Sequence, residues 1–425
     1  MPRLRSRRRY LQLLGSASLG VAGCLGRDSG STSPTTETTT EATTTEEPTT
    51  TYGPTSGPDE RVTATPPGDP ALSPSGSWPQ YRFDAGNTGY NPEVSVPADA
   101  EEYWRLNAGG SPVLDGDRLY NLHGRGRDER ALVRRDPATM AERAATPLVG
   151  YGVNSPPVVA GDRVVVATFI EAFCLAADRD EVLWRGPEMD GIHGPPAVGD
   201  DDDGVAVVSG GGYDGVPTQL RAFELADGSE RWRYDLESDA KGAPAVADGA
   251  VFVVTGDAVH AVDLATGERR FRVETRTSEW TTPVATPEAA YLSTRDDELL
   301  ALAPSDGTER WRSPGSGAPV VADDVLHVAV DGETATLSRD DGREAAARFV
   351  GVPHARAREA IVVSDEQGRL AVFDTGEERQ LWSHQTPEVQ VADVISQGVA
   401  AAVPVDGAVY VVAADGFHGL GPARD

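Results

Sequence analysis

The stretch that decides the fold runs from Gly242 to Arg272 and reads GAPAVADGAVFVVTGDAVHAVDLATGERRFR. Short apolar segments alternate in it with residues that favour turns. The elements expected are, in order, a strand after Pro244, a turn at Asp248-Gly249, strands Val251–Val254 and Val259–Asp263, a turn at Thr266-Gly267 and a strand around Phe271. Four strands in about 40 residues are the size of one blade of a β-propeller.

This unit repeats along the chain. The proline that opens its first strand recurs at spacings of 34 to 48 residues, at Pro112, Pro157, Pro196, Pro244, Pro283, Pro319 and Pro353. An eighth unit, Ala400–Leu420, lacks its outermost strand, which Tyr103–Leu106 can supply. The sequence therefore predicts an all-β fold: an eight-bladed β-propeller of four-stranded antiparallel blades, the last closed by an N-terminal strand so that no seam stays open. A seven-bladed ring, with one weak unit taken as an insertion, is the alternative.

An aromatic residue closes the fourth strand of most units, at Trp104, Trp184, Trp232, Phe271, Trp311 and Trp382. Three of them end an 11-residue pattern with Ala first and Gly seventh: Ala222…Gly228…Trp232, Ala301…Gly307…Trp311 and, with Phe last, Ala261…Gly267…Phe271. This pattern resembles the docking motif of the pyrroloquinoline-quinone (PQQ)-like propeller repeat family. In that motif the aromatic ring lies flat between blades, and the glycine leaves room for it. The segment Trp78–Gly89 also resembles the leader that precedes the ring in this family.

The resemblance covers residues 78–425 and leaves the activity open, because the family includes quinone-dependent alcohol dehydrogenases and a lipoprotein scaffold of the outer-membrane assembly machine. The dehydrogenases resemble one another in a vicinal cysteine pair, calcium ligands and a catalytic Asp. This chain has only Cys24 and Cys174, and no segment matches the surroundings of the other groups. We therefore expect no catalytic residues and no cofactor. A PQQ- and calcium-dependent dehydrogenase with a divergent site, and a glycan-binding surface module, remain as alternatives.

Loops that enter the innermost strands share one face of a propeller, and they carry the candidate contacts for a ligand. These are Tyr151, Asn154, His193, Lys241, Trp280 and His354. Trp280 stands out because it is not a docking residue, so it is available to anchor a peptide or stack on a flat ligand. The acidic turn Asp200–Asp203 lacks the glutamate that ends an EF-hand loop, and the seven histidines show no metal-ligand spacing, so no metal site is predicted.

The N-terminus carries an export address. Ser6–Gln12 resembles a twin-arginine signal, and the apolar run Leu11–Gly23 is too short for a stable membrane span, which needs about 20 residues. Val21–Cys24 resembles a lipobox, with Cys24 as the lipidated N-terminus of the mature chain. Residues 1–23 are thus expected to be a lipoprotein signal. Residues 24–77, rich in Thr, Glu and Pro, form a disordered stalk, and residues 78–425 form the propeller.

Charge narrows the possible partners. The chain has 67 acidic and 38 basic residues, a net charge of −29, which excludes a general nucleic-acid binder. Lys241 is the single lysine, and this composition resembles that of proteins from extreme halophiles.

Taken together, the export signal, the propeller repeat and the missing catalytic markers favour a monomeric, lipid-anchored scaffold on the outer face of the cytoplasmic membrane that binds a protein or peptide partner.

Overall fold

A computed structural model describes residues 71–106, 110–124, 129–150, 155–189, 191–199, 204–212, 217–240, 242–277, 281–391, 394–396 and 398–424. All regular secondary structure in these ranges is β-strand. Within the same ranges, no helix has the length and apolarity that a membrane span requires. Several predictions lie outside the described residues: the signal, Cys24, most of the stalk, the turn Asp200–Asp203, and the candidate contacts Tyr151, Asn154, Lys241 and Trp280.

The chain begins with three strands that serve different blades: β1 (Ser77–Trp78), β2 (Tyr90–Asn91) and β3 (Glu101–Leu106). Blades 1 to 4 then follow in chain order. Blade 1 has β4 (Val113–Asp115), β5 (Arg118–Gly124), β6 (Glu129–Arg135) and β7 (Glu142–Val149); blade 2 has β8 (Val158–Ala160), β9 (Arg163–Ala167), β10 (Ala172–Ala176) and β11 (Val182–Arg185). Blade 3 has β12 (Ala197–Gly199), β13 (Val205–Gly210), β14 (Gln219–Glu224) and β15 (Glu230–Asp235); blade 4 has β16 (Ala245–Ala247), β17 (Ala250–Val254), β18 (Ala258–Asp263) and β19 (Arg269–Glu274).

Blades 5 to 8 complete the ring. Blade 5 has β20 (Val284–Ala285), β21 (Ala290–Ser293), β22 (Glu298–Leu302) and β23 (Glu309–Pro314); blade 6 has β24 (Ser316–Ala322), β25 (Val325–Val330), β26 (Glu333–Ser338) and β27 (Glu344–Val350). Blade 7 has β28 (Val352–Ala357), β29 (Ala360–Ser364), β30 (Arg369–Asp374) and β31 (Arg379–Gln385). A hairpin of β32 (Val389–Val391) and β33 (Val394–Ser396) leads to blade 8, formed by β34 (Val399–Val405), β35 (Ala408–Ala413), β36 (Gly416–Gly421) and β3.

The prediction of eight blades closed by an N-terminal strand is confirmed. Strand β3 pairs antiparallel with β36, with Trp104 opposite Gly419 and Glu102 opposite Leu420. Blade 8 therefore has three strands from the C-terminal end of the chain and one from near its start. Because this outermost strand comes from the other end of the propeller, opening the ring requires breaking a full ladder of backbone hydrogen bonds.

Aromatic residues of the outermost strands join consecutive blades. The indole Nε1 of Trp232 donates a hydrogen bond of 2.7 Å to the carbonyl of Leu264 in blade 4. A Cβ added to Gly267 of blade 4, which has a φ of 74°, would lie 2.6 Å from that indole. Glycine is therefore required at this close approach. The same close approach of ring and glycine recurs where Trp184 meets Gly228, Phe271 meets Gly307 and Trp311 meets Gly342.

Blades 1 and 2 depart from the docking motif together. Blade 1 has Ala144 in the place of the docking aromatic, and the corresponding position of blade 2 is Asp180 rather than Gly. With no ring to accommodate, Asp180 keeps a φ of 54° and forms a two-pronged ion pair with Arg134 of blade 1, at 2.7 and 3.1 Å. Blade 2 thus has no docking glycine where the preceding blade presents no large ring. Blade 1 differs, because Met140, with a φ of 58°, stands at its glycine position and packs in the same cluster as Trp104.

The leader, here residues 73–91, runs along the innermost strands of all eight blades. Its backbone exchanges two hydrogen bonds with Asp406 of blade 8 at Ser75 and then pairs with blade 1 through β1. Further contacts follow in blade order: Pro79 to Val159, Gln80 to Val198, Ala85 to Val246, Gly86 to Ala285, Thr88 to Val321 and Gly89 to Arg356. This circuit covers inner strand edges that would otherwise carry unpaired backbone groups.

The described residues include 71–77, which precede the predicted boundary at residue 78. Leu72 is only 2% exposed and belongs to the hydrophobic cluster that contains Tyr103 and Trp104. It packs beside Gly421, where an added Cβ would fall 2.2 Å from its side chain. The isolated leucine in a polar stretch is therefore part of the propeller rather than of the stalk.

Candidate functional site

A cavity opens between the leader and the innermost strands of blades 7, 8 and 1, with about 440 Å³ of empty space including its open mouth. The residues lining it are Trp78, Gln80, Tyr81, Arg82, Ser111, Pro112, Pro156, His354 and Ala400–Val403. No carboxylate is among these lining residues. Carboxylates are the ligands that calcium prefers, so this lining does not fit a calcium-bound quinone.

Two basic side chains give the cavity its chemistry. Burial lowers the pKa of the Arg82 guanidinium, whose Nε donates 3.0 Å to the carbonyl of Asn87 and whose Nη2 donates to the carbonyl of Pro319. Burial, and then the nearby Arg82 charge, lower the pKa of His354 to about 4. The His354 Nε2 lies 2.7 Å from the hydroxyl of Ser364. At neutral pH the cavity therefore contains the positively charged Arg82, held by two backbone carbonyls, and the neutral imidazole of His354.

The structure describes two of the six candidate contacts and does not bring them together in the cavity. His354 lies on β28 and lines it. His193 precedes β12 and packs edge-on against Phe169, with ring centroids 5.0 Å apart, and is not among the lining residues. The other four contacts, Tyr151, Asn154, Lys241 and Trp280, stay predictions. Cys174 is buried in β10 opposite Trp184, and burial raises the pKa of its thiol to about 12.

A second cluster lies where the N-terminal and C-terminal strands meet, and we call Glu102, His384 and His418 the seam cluster. Glu102 lies on β3, His418 on β36 and His384 on β31 of blade 7. The Glu102 Oε2 is 2.9 Å from His418 Nδ1 and 3.4 Å from His384 Nε2. The two imidazole nitrogens are 3.4 Å apart. Three potential ligand atoms thus converge from three strands.

Asp415 and Arg105 surround the seam cluster. Asp415 Oδ1 is 2.8 Å from the Nε2 of the fully buried His418, and Arg105 contacts Glu102 at 3.0 Å and Asp415 at 3.3 Å. Partial burial opposes ionisation of Glu102, but hydrogen bonds from His418 and Arg105 outweigh it and lower its pKa to about 2. Burial also opposes the charge of His418, yet Asp415 and Glu102 raise its pKa. Burial and the His418 charge lower the pKa of His384.

Sequence reasoning missed the seam cluster because its members follow no local spacing. His418 lies 316 residues from Glu102 and 34 from His384. The repeat does contain a signal. His418 precedes the residue paired with a docking aromatic, and His384 lies two residues after the docking Trp382. His260 and Tyr234 occupy the same two positions between blades 3 and 4, with Tyr234 Oη 3.1 Å from His260 Nδ1.

The fold and its interblade stacking define a β-propeller of PQQ-like repeats. A family profile described as "Outer membrane protein assembly factor BamB" matches residues 170–314 and 258–418, together more than half of the sequence. The chain belongs to this family.

Comparison with individual proteins adds fold-level similarity. The chain is 37% identical over 81 residues, 19% of its length, to the serine/threonine-protein kinase AfsK of Streptomyces coelicolor, and this match spans 10% of the kinase. It resembles a europium-containing methanol dehydrogenase with a TM-score of 0.60 and 11% identity, over 79% of this chain and 89% of that one. BamB from Moraxella catarrhalis has a TM-score of 0.48 and 18% identity, over 63% and 96%. At 11% identity the methanol dehydrogenase shares the fold with this chain.

Proposed function

We propose that this chain is an exported, lipid-anchored scaffold that binds a protein or peptide partner on the outer face of the cytoplasmic membrane. The observation that carries the proposal is the outer edge of blade 6, strand β27, which presents the exposed Ala345, Ala346 and Val350. The family profile, which bears the description of a protein assembly factor, supports a role in binding proteins. The lack of carboxylates in the lining of the cavity speaks against a calcium- and quinone-dependent dehydrogenase at that cavity.

At the bulge before its docking position β27 lacks an arginine, and the exposed charges on the strand, Glu344 and Arg348, pair with each other. The bulges of β11, β31 and β3, at Leu183, Leu381 and Tyr103, also lack an arginine. In each outermost strand the residue before the docking position bulges out of the ladder, and in blades 1, 3, 4 and 5 it is Arg143, Arg231, Arg270 and Arg310. These arginines fold back onto their own blade; Arg231, for example, contacts Glu224 at 2.6 Å. Charged side chains along an edge disfavour the addition of a further strand. Bulged arginines therefore protect these outer edges.

Blade 6 has Ala345 at the bulge and Ala346 at the docking position, and both are exposed. Val350 at the end of the same strand is 66% exposed. Strand β27 is the last strand of its sheet, so its outer backbone groups have no ladder partner within that sheet. An extended peptide can add to such an edge through backbone hydrogen bonds, with side-chain pockets providing selectivity. The partner segment that fits is an extended, largely uncharged peptide.

The test uses a photo-crosslinking residue at Ala346 in the full chain, expressed in its native membranes and irradiated at molar salt. We expect one reproducible adduct that is identified by mass spectrometry. The same residue at Arg312 on β23 of blade 5, an exposed position beside a guarded edge, should give none. The variant Ala345→Arg restores the arginine of blades 3 to 5 and should abolish the adduct at position 346. Equal adducts in all three proteins would contradict edge binding.

The dehydrogenase and glycan alternatives have their own readouts. Titration with PQQ and calcium at molar salt should give no saturable binding and no dye reduction with alcohols or sugars, and a sugar array should give no signal. Saturable quinone binding with turnover would replace the scaffold proposal.

The halophilic origin is tested by dialysis. At 1 M salt the screening length is about 3 Å, so the mature chain should unfold as salt is withdrawn and its net negative charge becomes unscreened.

A further inference from the structure

We propose that the seam cluster, Glu102, His384 and His418, is a binding site for a divalent transition-metal ion, with Zn²⁺ as the best fit. Imidazole nitrogens together with one carboxylate oxygen form a donor set that suits zinc and its neighbours rather than calcium or magnesium. The site is distinct from the cavity at the leader and from the edge of blade 6, so it goes beyond the proposed function.

The spacing of the ligand atoms fits a four-coordinate ion. Zinc bonded to nitrogen and oxygen at about 2.0–2.1 Å in a tetrahedron places its ligand atoms about 3.3 Å apart. The three atoms of the seam cluster form a triangle with sides of 2.9, 3.4 and 3.4 Å. The Glu102 side chain is 27% exposed and the His384 side chain is 17% exposed. Solvent therefore reaches the cluster, and a water molecule is available as the fourth ligand.

The surroundings of His418 match those of a metal-binding histidine. Such a residue usually donates its second ring N–H to a carboxylate, which fixes the tautomer and turns the other nitrogen toward the ion. His418 is fully buried, its Nε2 is 2.8 Å from Asp415 Oδ1, and its Nδ1 points to the cluster. Asp415 is in turn held by Arg105 at 3.3 Å. Asp415 is therefore a positioning residue.

The charges facing the cluster come from two carboxylates and one guanidinium. Glu102 and Asp415 supply two negative charges and Arg105, 3.0 Å from Glu102, supplies one positive charge. Both imidazoles are neutral when they act as ligands. A doubly charged ion would therefore leave a local charge of about +1. Partial neutralisation by two carboxylates makes the site compatible with a cation despite Arg105.

The same constellation in blade 4 provides an internal comparison. The residue types Asp257, His260 and Arg272 repeat Asp415, His418 and Arg105 in register, with Arg272 paired to His260 and 3.1 Å from Asp257. The contact between aspartate and histidine does not repeat, because Asp257 Oδ1 bonds to Ser238 and Thr255 and His260 Nε2 has no hydrogen-bond partner among the described residues. Two positions differ. Tyr234 stands where blade 7 offers His384, and Arg269 stands where β3 offers Glu102. Relative to blade 4, the seam thus replaces a phenol and a guanidinium by two metal ligands and adds the contact between His418 and Asp415, while the residue types at the three supporting positions stay the same.

Metal binding at the seam cluster would stabilise the closed ring of blades. The three ligands come from the N-terminal strand of the propeller, the C-terminal strand and the neighbouring blade, which meet only when the ring is closed. An ion that binds the closed state and not the open chain stabilises the closed state by mass action. We therefore expect the ion to raise the midpoint of thermal unfolding in a concentration-dependent way.

The test uses the full mature chain, purified without a histidine tag, stripped with a chelator and held at molar salt with excess Mg²⁺ to occupy surface carboxylates. Co²⁺ should bind at one equivalent with the visible absorption of a four-coordinate site, and Zn²⁺ should displace it and raise the unfolding midpoint. His384→Tyr recreates the pair found between blades 3 and 4, so it should fold normally yet bind Co²⁺ at least a hundredfold more weakly. Asp415→Ala should weaken binding about 10- to 100-fold.

The matched control is Tyr234→Phe in blade 4, which should leave Co²⁺ affinity and spectrum unchanged. If metal-free His384→Tyr unfolds earlier than the stripped wild type, Glu102→Gln takes its place as the decisive variant. The proposal is overturned if wild-type protein shows no one-equivalent Co²⁺ spectrum, or if the decisive variant binds Co²⁺ as tightly as wild type does, since the ion would then sit elsewhere on the acidic surface.

Discussion

The indole of Trp232 in blade 3 lies directly on Gly267 of blade 4, so close that a Cβ on this glycine would stand 2.6 Å from Cγ. The same indole donates its Nε1 hydrogen to the carbonyl of Leu264, three residues before the glycine. One ring thus contacts the backbone of the next blade twice, by stacking and by a hydrogen bond. The contact between blades 3 and 4 thus depends on Gly267, whereas blade 2, which follows a blade without a docking ring, has Asp180 at the corresponding position.

Gly267→Ala tests this dependence. The variant adds a Cβ at a φ of 74° and forces it against the Trp232 ring. We expect the free energy of unfolding to fall by about 2–5 kcal/mol, from backbone strain and overpacking together. Gly116→Ala is the matched control, because Gly116 has a φ of 60° and nothing within 4 Å of its added Cβ. Gly116→Ala should lower the free energy of unfolding only by the backbone strain, about 1–2 kcal/mol. Equal losses in denaturant unfolding would refute the stacking argument.

Trp104 should be the most important single side chain for ring closure. It is 3% exposed, lies opposite Gly419 and donates its Nε1 hydrogen 3.1 Å to the carbonyl of Ala138 in blade 1. Trp104→Ala should lower the free energy of unfolding by about 3–5 kcal/mol through the cavity it leaves. Trp104→Phe keeps most of the packing and should lose about 1–3 kcal/mol with the hydrogen bond.

Hydrogen exchange locates the effect of Trp104→Ala. Amides of β36 should exchange faster in this variant, because opening begins at the seam, whereas those of β17 in blade 4 should change less. Equal acceleration in both strands would mean that the seam is no weaker than the rest of the ring.

The blade count and the closing strand could be predicted from sequence because both follow from a period. Each unit carries the same turn residues and aromatic position, so one unit such as Gly242–Arg272 defines the others. The circuit of the leader could not be predicted, since most of its contacts are backbone hydrogen bonds that leave no side-chain pattern, and the side chains of Gln80 and Asn87 bond to backbone groups far away in the sequence. Leu72 illustrates this, because one leucine in a polar stretch gives no periodic signal yet packs into the core.

The candidate sites were less predictable than the fold. His354 was identified from its place at the start of an inner strand, and the structure puts it in the cavity beside Arg82, which had not been singled out. Glu102 reaches His418 only because the β3–β36 ladder has a bulge between Glu102 and Trp104. Such a register shift depends on tertiary pairing, so residue spacing alone could not reveal the seam cluster.

Acid should destabilise the propeller through His327. This residue is 2% exposed, and Arg356 Nη1 lies 3.1 Å from its Nε2, so Nε2 must accept and Nδ1 donates to Thr336. Burial, and then the charge of Arg356, lower the pKa of His327 to about 3. Below pH 6.5, the ordinary pKa of histidine, His327 becomes protonated in the unfolded chain but stays neutral in the folded chain. The contribution of His327 to stability is therefore complete above pH 6.5 and is lost as the pH falls toward 3.

The measurement is the free energy of unfolding between pH 6.5 and 4 at molar salt. His327→Gln should reduce its slope by up to about 1.4 kcal/mol per pH unit, the value for one proton. Thr336→Val removes the hydroxyl partner but keeps the imidazole, so it should be less stable at every pH while keeping most of the wild-type slope. A His327→Gln slope equal to that of wild type would show that this histidine does not stay neutral in the folded state.

Asn87 is the point at which the leader joins two blades at once. Its side chain is 2% exposed, and its Nδ2 donates hydrogen bonds to the carbonyls of Pro244 in blade 4, at 3.0 Å, and Pro283 in blade 5, at 3.2 Å. Its φ of 60° places the amide between these two blades. Asparagine tolerates this left-handed conformation better than other residues with a β-carbon, so one residue provides both the turn and the bridge.

Two substitutions separate these contributions. Asn87→Gly keeps the left-handed backbone and removes the amide, leaving two buried carbonyls without a donor, and should lower the free energy of unfolding by about 1–3 kcal/mol. Asn87→Ala removes the amide and adds backbone strain, so it should lose about 1–2 kcal/mol more than the glycine variant. Denaturant unfolding at molar salt measures both differences. If Asn87→Gly were as stable as wild type, the amide bridge would contribute nothing. The leader would then be held to blades 4 and 5 by its backbone hydrogen bonds to Val246 and Ala285 alone.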